Sequence, residues 1–448
     1  MSQAEERALE LQAPTCTPLA IAPSRAESCS TPLAYSDRQR WTYLFVLFLV
    51  STSNFVDRNV VSVLLEPIKR EFHISDTSLG LLSGFCFALF YALAGLPVAR
   101  WADRGNRRTI LTVAISVWSV MTMLCGFAHT FWQLALARVG VGAGESGVLP
   151  ASQSLIVDYF PRERRATALA IFNASGISGY LLGITAGGYI AAMYGWRAVF
   201  LFAGAPGIAL ALVARCALAE PRLLHQTSKT AGPSEKTMDA LHALWQKRSF
   251  ICGLAGCLCY WFFSYGGLVF LPSLLVRTHH VSLAEVSVVY GTVAAFGSIL
   301  GAVGGGWLAD SLAARDIRWA AWLPTVSFTL AGPVYMMTFL TNDFRTCMVF
   351  AFVGLALITG GLSPGLLAIH SVCGDARRAT AVALVYFSAT LIGGGFGPLA
   401  TGALSDILTA SYGDQALRYA LTATTSLLVV SGMCFYSVGR VMSRDLEG

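Results

Sequence analysis

The sequence has few charged residues for its length. Only 12% of its 448 residues are charged, whereas 55% are hydrophobic, and a soluble domain carries about 25% charge. The deficit extends along the whole chain, which excludes a large soluble domain. It leaves apolar segments of about 20 residues, each long enough to cross a bilayer as a helix. The net charge of +6 therefore reports membrane topology and does not indicate a nucleic-acid partner.

The sequence also lacks the motifs of an enzyme, a metal site or an ATP-driven pump. Its 11 Cys residues lie mostly in apolar segments without metal-ligand spacing. The cluster of Cys252, Cys257 and Cys259 is interpreted as small buried hydrophobic side chains. Gly142-Ala-Gly144 has no preceding strand, so it indicates helix packing and not a nucleotide-binding loop. We therefore expect no catalytic residue, no metal and no other cofactor.

Apolar stretches predict twelve transmembrane helices, so the expected fold class is an all-α membrane protein. The spans run approximately over 41–66, 78–101, 108–127, 131–158, 165–192, 197–219, 250–276, 284–309, 319–340, 345–371, 379–407 and 416–439. The longest break, a polar linker at 220–249, divides them into six-helix bundles at 41–219 and 250–440. The ends, 1–40 and 441–448, are expected to be tails. The first is predicted to be disordered, because it is rich in small polar residues and Pro and lacks an unbroken apolar segment.

The two bundles carry matching motifs. Arg164-Arg165-Ala166-Thr167-Ala168 opens the fifth span, and Arg377-Arg378-Ala379-Thr380-Ala381 opens the eleventh. A repeat of about 210 residues indicates the parallel pseudo-symmetry found between transporter halves. Lys and Arg are concentrated in the loops that share a side with the N-terminus. Both termini and the linker are therefore predicted to be cytosolic, in a plasma membrane such as the inner membrane of a bacterium.

An acid and a base stand next to each other inside the first span. Asp57 and Arg58 lie within the apolar run 41–65, where each charge costs roughly 2.5–3.5 kcal/mol at the bilayer centre. Arg138 and Glu145 share a face of the fourth span, since seven residues make nearly two helical turns. By the helix rise, Arg138 lies about 10 Å and Asp57 about 13 Å from the outer end. Their similar depth predicts that Asp57 pairs with Arg138.

Two interpretations of these charges are open. A buried ion pair of purely structural importance needs only Asp57 and Arg138. The two further charges nearby, Arg58 and Glu145, favour a functional site, because charged side chains inside membranes usually face a bundle interior or a water-filled cavity.

The loop between the second and third spans is Asp103-Arg104-Gly105-Asn106-Arg107-Arg108. It resembles the G-x-L-A-D-R-x-G-R-R motif of the major facilitator superfamily, with Ala99 and Asn106 where that motif has Gly. The resemblance implies a cytosolic gate whose contacts hold one conformation and break in another. Its residues would be Asp103, Arg104, Arg107 and Arg108, together with Asp310 from a partial copy of the motif in the second half. The alternative is a simple anchor of positive charge on the cytosolic side.

A narrower resemblance rests on three motifs. They are Asn54-x-x-Asp57-Arg58, then Arg138…Glu145 followed by Ser-x-x-x-Pro-Ala, and the two Arg-Arg-Ala-Thr-Ala openings. Together they resemble the Spinster family of lipid transporters, which includes exporters of sphingosine-1-phosphate and of lysophospholipids. The resemblance implies that Asp57 and Glu145 are proton-coupling or gating acids. It also implies that Arg58 and Arg138 are their partners or contact a headgroup.

The second half has no comparable charge in mid-span. Its seventh span instead contains the aromatic run Tyr260-Trp261-Phe262-Phe263-Ser264-Tyr265. Aromatic side chains in a cavity wall suit an acyl chain, and the alternative is that they face lipid. The predicted substrate contacts are Asn54, Arg58, Arg138, Glu145, Tyr260 and Phe263.

We therefore expect a secondary transporter of the major facilitator fold, with two pseudo-symmetric six-helix bundles and rocker-switch alternating access. It is expected to couple to protons and to move an amphipathic anion of lysolipid type. A small organic anion or sugar acid is the alternative substrate, and a non-transporting sensor or scaffold is an alternative of another class. The expected partners are the substrate, protons and the bilayer, with no nucleic acid, and the chain is expected to act as a monomer.

Overall fold

A computed structural model of the chain describes residues 35–221, 237–374 and 377–446. Within them all regular elements are helical, and the membrane spans are labelled α1 to α12. Eight spans are single helices: α1 (Asp37–Phe72), α3 (Arg107–Gly126), α5 (Arg162–Tyr194), α6 (Trp196–Ala217), α7 (Arg248–His279), α8 (Leu283–Ala313), α9 (Trp319–Leu340) and α10 (Phe344–Cys373). The others have parts: α2 (Asp76–Gly80, Leu81–Phe85, Cys86–Arg104), α4 (Phe131–Glu145, Val148–Tyr159), α11 (Arg378–Ser388, Ala389–Phe396, Gly397–Tyr412) and α12 (Ala416–Thr424, Ser426–Leu446).

Ten helices in the described part of the chain are long and apolar enough to cross a membrane. The number is lower than twelve for two reasons. The stretch Thr380–Met442 is one nearly continuous helical region that contains both α11 and α12. The two parts of α4, Phe131–Glu145 and Val148–Tyr159, are each shorter than a bilayer crossing. The predicted all-α fold of twelve transmembrane helices is confirmed.

Local sequence signals begin and end the helices. The side chains of Asn106, Ser282 and Asp343 accept hydrogen bonds from the first turns of α3, α8 and α10, which satisfies amides that have no partner within the helix. Gly195 has φ +81° in the turn between α5 and α6, a conformation that a side chain would strain. The linker, predicted at 220–249, contains a helix at Thr237–Gln246. The predicted domain boundaries stay predictions.

The spans define two faces of the molecule. The face at which α1 begins is here called the terminal face, because α12 also ends there. At the end of α12, the Asp445 carbonyl oxygen accepts a hydrogen bond from the Lys247 ammonium beside the start of α7. The face at which α1 ends is called the opposite face. There Arg277, near the end of α7, pairs with Glu66 near the end of α1. Helices α1 and α7 therefore run in the same direction, as the repeat in the sequence predicts.

Helices α2 and α11 each contain a π-helical segment, Leu81–Phe85 and Ala389–Phe396. The two segments meet, with the Phe85 and Phe396 ring centroids 5.2 Å apart. A Cβ on Gly84 would lie 2.7 Å from the carbonyl oxygen of Gly394, so the backbones touch at a distance that only glycine allows. π-Turns are rare and are frequent at functional sites. This crossing joins the first half of the chain to the second, in the first third of α2 and near the middle of α11.

Candidate functional site

Asp57 and Arg138 form an ion pair inside the first half of the chain. Both side chains are 1% exposed, and Arg138 Nη1 lies 3.6 Å from Asp57 Oδ1. The hydroxyl of Thr122 in α3 donates a hydrogen bond to the other carboxylate oxygen, Oδ2. The pairing that helix rise predicts is therefore present. The loose ion-pair distance means that the two charges attract each other without a direct hydrogen bond.

Arg58 and Glu145 form the second pair of this cluster. Arg58 Nη2 and Nε donate to Glu145 Oε2 over 2.8 and 3.3 Å. Glu145 is fully buried, whereas the Arg58 side chain is 19% exposed. The remaining guanidinium nitrogen of Arg58, Nη1, is not used by this pair. Of the four charged side chains, Arg58 is thus the one that a dissolved ligand can reach.

Aromatic rings surround both guanidinium groups. The Phe87 ring centroid lies 4.9 Å from Arg58 Cζ and 5.2 Å from Arg138 Cζ, so one ring contacts both cations. Tyr91 lies 4.9 Å from Arg58 Cζ on the same side of α2. The negative faces of the rings stabilise the cations where water is scarce. Sequence reasoning missed Phe87 and Tyr91, although their spacing of four residues places them on one helical face.

Glycines allow α4 to pack closely against α2 and α3, which places Arg138 and Glu145 of α4 in the cluster. A Cβ on Gly142 would lie 2.4 Å from the Phe87 carbonyl oxygen in α2, and one on Gly144 would lie 2.7 Å from the Trp118 amide nitrogen in α3. Small residues let helices in a membrane approach closely. The first part of α4 ends at Glu145, so the helix is interrupted directly after the buried acid.

The remaining predicted substrate contacts are mostly enclosed by protein. Asn54 is fully buried, and neither atom of its amide has a hydrogen-bond partner among the described residues. Tyr260 is 3% exposed and stacks on Phe328 of α9, with ring centroids 5.1 Å apart. Phe263 is fully buried against Tyr335 of the same helix. In this conformation Tyr260 and Phe263 pack between helices, and substrate contact by either one stays a prediction.

The loop motif of the terminal face makes its described contacts within the first half. Arg107 is 1% exposed and pairs with Asp158 over 2.7 Å and with Glu220 over 2.9 Å. The backbone amide of Arg108 also donates to Glu220. These bonds fasten the chain after α6 to the start of α3. Asp310 is exposed, and the side chains of Asp103 and Arg104 lie outside the described residues.

A charged network on the opposite face connects the two halves and was missed by sequence reasoning. Arg277 of α7 donates two hydrogen bonds to the Asp76 carboxylate at the start of α2, over 2.9 and 2.8 Å. Lys69 and Ser405 donate to the same carboxylate, and Arg277 also donates to Glu66. Asp406 of α11 in turn accepts from the amides of Asp76 and Thr77. The opposite face is therefore closed by ionic bonds between the halves.

Comparison with known proteins identifies the family. Residues 47–398 match the model of the Major Facilitator Superfamily. The chain is 35% identical to an MFS-type efflux pump of Mycolicibacterium smegmatis, over 92% of this chain and 95% of the relative. It is 26% identical to a sphingosine-1-phosphate transporter of Danio rerio, over 94% and 86% of the two chains. It is also 26% identical to a probable galactarate/D-glucarate transporter of Bacillus subtilis, over 66% and 71%.

A solved structure agrees with these relatives. A bacterial homolog of the human lysosomal transporter Spinster, crystallised in an inward-facing and unoccupied conformation, superimposes with a TM-score of 0.83. The two sequences are 30% identical, and the match covers 92% of this chain and 99% of the other. These relatives are transporters, which confirms that the chain belongs to a transporter family and not to an enzyme family. The chain belongs to the Major Facilitator Superfamily and, within it, to the Spinster family of multi-pass membrane transporters.

Proposed function

We propose that the protein is a proton-coupled secondary transporter of an amphipathic anion of lysolipid type. The observation that carries this proposal is the partial exposure of Arg58 beside a fully buried Glu145. A guanidinium with a free edge binds carboxylate and phosphate well, because its donors are planar and fixed in geometry. The aromatic rings of Phe55, Phe87 and Tyr91 around Arg58 suit the apolar part of such a substrate.

The arrangement of the two pairs supports the proposed coupling to protons. Glu145 holds Arg58 through two hydrogen bonds to one oxygen. A proton on Glu145 removes the negative charge and frees Arg58 for a substrate anion. Asp57 attracts Arg138 by charge alone, over 3.6 Å and without a hydrogen bond. In this proposal a proton on Glu145 favours the binding of the substrate anion to Arg58, and Asp57 with Arg138 sets the position of α1 against α4.

Alternating access would use the two faces in turn. The Asp76–Arg277 bonds on the opposite face join the halves, whereas the described motif residues on the terminal face pair within the first half. We infer a state that is open towards the terminal face, in agreement with the inward-facing bacterial relative. A rocking motion of the halves would break the opposite-face bonds and bring the motif residues Arg107, Arg108 and Asp310 together.

The membrane location of this transporter is also proposed. The distribution of Lys and Arg supports cytosolic termini and a plasma membrane, the inner membrane in a bacterium. The transport site lies within one chain, since both ion pairs join α1 to α4. We therefore propose that a monomer is sufficient for transport.

A small organic anion or sugar acid is the second candidate substrate. The similarity to the probable galactarate/D-glucarate transporter favours it, and Arg58 would bind the carboxylate of either class. The two candidates differ in what surrounds the anion: a lysolipid needs an apolar path for its chain, and a sugar acid needs further hydrogen-bond donors.

A flux screen on proteoliposomes tests both candidates. The purified protein is offered 1-oleoyl lysophosphatidylglycerol or galactarate, with and without an imposed pH gradient. We expect lysolipid flux that increases with the gradient and is inhibited weakly by galactarate. Flux of galactarate alone would support the second candidate. Flux of lysolipid that ignores the gradient would contradict proton coupling, and flux of neither compound would overturn the proposed function.

A further inference from the structure

The aromatic run in α7 has two faces with different surroundings. Tyr260 and Phe263 are buried against α9, whereas Trp261 and Tyr265 are only partly buried. Trp261 and Tyr265 stack on each other, with ring centroids 5.4 Å apart and planes 20° apart. They are one helical turn apart, so they form a single aromatic surface that points away from the core of the second half.

This surface lies at the crossing of the two π-helical segments. A Cβ on Gly393 of α11 would lie 2.7 Å from Trp261 Cβ, so α11 packs tightly behind the indole. A Cβ on Gly394 would lie 3.9 Å both from the Tyr265 ring and from Ala88 of α2. Tyr265 is therefore close to α2 at Ala88, which lies about one helical turn before Tyr91. Arg58, Tyr91 and Tyr265 are mutual electrostatic neighbours.

One polar atom of this aromatic surface has no protein partner in the described part of the chain. The Trp261 indole nitrogen Nε1 is buried without a hydrogen bond. Buried donors are nearly always satisfied, and an unpaired one calls for an explanation. Arg58 of the first half and Tyr265 of the second are electrostatic neighbours, and Trp261 stacks on Tyr265, so hydrogen-bond donors from both halves lie in the same region.

We propose that Tyr265 is a specificity-determining residue. Its phenol hydroxyl donates a hydrogen bond to the substrate anion that Arg58 binds, and the indole N–H of Trp261 donates a second one. This inference rests on the proposed function and deepens it. The substrate group is then an oxyanion with at least two free oxygen atoms, a phosphate or a carboxylate, held between the two halves. A cation leaves these donors without an acceptor.

Removal of the hydroxyl alone tests the assignment. Tyr265→Phe keeps the stack on Trp261, and Tyr419→Phe, on a partly exposed tyrosine of α12, is the matched control. KM is measured in proteoliposomes for the better transported of 1-oleoyl lysophosphatidylglycerol and galactarate. We expect KM to rise about tenfold in Tyr265→Phe, as for the loss of a hydrogen bond to a charged group. The control and the maximal rate at saturation should stay close to wild type.

A second readout separates this inference from the proposed function. The thermal stabilisation of the detergent-solubilised protein by the same two compounds reports binding without transport. If wild type is stabilised but transports neither compound, the proposed function is wrong, and a smaller stabilisation of Tyr265→Phe still supports the inference. An unchanged KM, or equal stabilisation of wild type and Tyr265→Phe, overturns it. Stabilisation of wild type by neither compound overturns both.

Discussion

At the scale of single residues, two acids in one cluster have different surroundings. Asp57 accepts a hydrogen bond from the Thr122 hydroxyl, pairs with Arg138 over 3.6 Å and is sealed from solvent. Glu145 is also sealed, but the side chain of its partner Arg58 is 19% exposed. A proton that binds Glu145, or a substrate anion that competes with Glu145 for Arg58, therefore breaks this pair directly. Asp57 has no exposed partner through which to respond, so we assign it to positioning.

The Glu145→Gln variant is expected to lose its response to pH. The amide imitates the protonated acid, because it has no negative charge with which to hold Arg58. Flux in proteoliposomes should then be equal with and without a pH gradient, while wild type responds to it. Glu71→Gln, which alters a partly exposed pair with Arg197 on the opposite face, is the control and should respond like wild type. A gradient-driven flux in Glu145→Gln would refute the coupling role.

The Asp57–Arg138 pair is expected to show strong non-additivity in stability. Removal of one partner leaves a buried charge and costs about 3–5 kcal/mol, whereas removal of both costs much less. The free energy of unfolding in detergent should therefore fall further in Asp57→Asn or Arg138→Met than in the double variant. If the losses in the two single variants simply add in the double variant, the two side chains are not coupled.

The sequence was sufficient to predict the charged cluster, but not its surroundings. Asp57 and Arg138 stand out because a charge in an apolar run is costly, and the helix rise fixes their depths. Phe87, Tyr91 and Trp261 are aromatic residues among many in apolar spans, so composition does not distinguish cavity walls from lipid contacts. The opposite-face network was missed because its charges lie at helix ends, where charged residues are common. Their partners come mostly from helices distant in sequence, which only the packing of the two halves against each other brings together.

At the scale of helices, glycine contacts set how closely α2 and α11 approach. A Cβ on Gly80 would lie 2.2 Å from the Pro398 carbonyl oxygen, and one on Gly402 would lie 2.1 Å from that of Asp76. Both contacts involve backbone atoms, which cannot move aside by changing a side-chain rotamer. The ionic network of the opposite face forms because these glycines allow the two helices to touch.

Gly80→Ala is expected to keep α2 and α11 apart on the opposite face. The methyl group cannot fit against Pro398, so the population in which this face is closed should decrease and flux should fall several-fold. Gly95→Ala, in the same helix but with open space around its Cβ, is the matched control and should transport normally. Distances between spin labels at His73 and Asp414, in a cysteine-depleted background, measure the closure. Unchanged distances in Gly80→Ala would contradict this role.

At the scale of the whole molecule, ionic bonds hold the two halves together on one face. Asp76 accepts from α1, α7 and α11 at once, so a single carboxylate connects three helices from both halves. A buried carboxylate with several donors is stable only while all of them stay in place. The closed state of the opposite face therefore depends on one residue more than on any other in the network.

Asp76→Asn is expected to shift the protein towards a state that is open on the opposite face. The amide keeps the size of the side chain but loses its charge, so the bonds to Arg277 and Lys69 weaken. The same spin-label pair should report a larger population of long distances. Arg197→Gln, which breaks an ion pair on the same face but within the first half, should leave the distribution unchanged. A similar shift in both variants would show that the effect is not specific to the contact between halves.

The π-helical segments of α2 and α11 determine in which directions the side chains before and after each segment point. An α-helix turns by about 100° for each residue, from 3.6 residues per turn, and a π-turn takes up one additional residue. Deletion of one glycine from Gly393–Gly395 would allow α11 to continue as an ordinary α-helix. Everything on one side of the deletion would then rotate by about 100° against everything on the other. Tyr386 would leave its place near Tyr265, or Asp406 would leave Thr77. The additional residue of the π-turn thus fixes the rotation of the part of α11 near Tyr265 relative to the part that closes the opposite face.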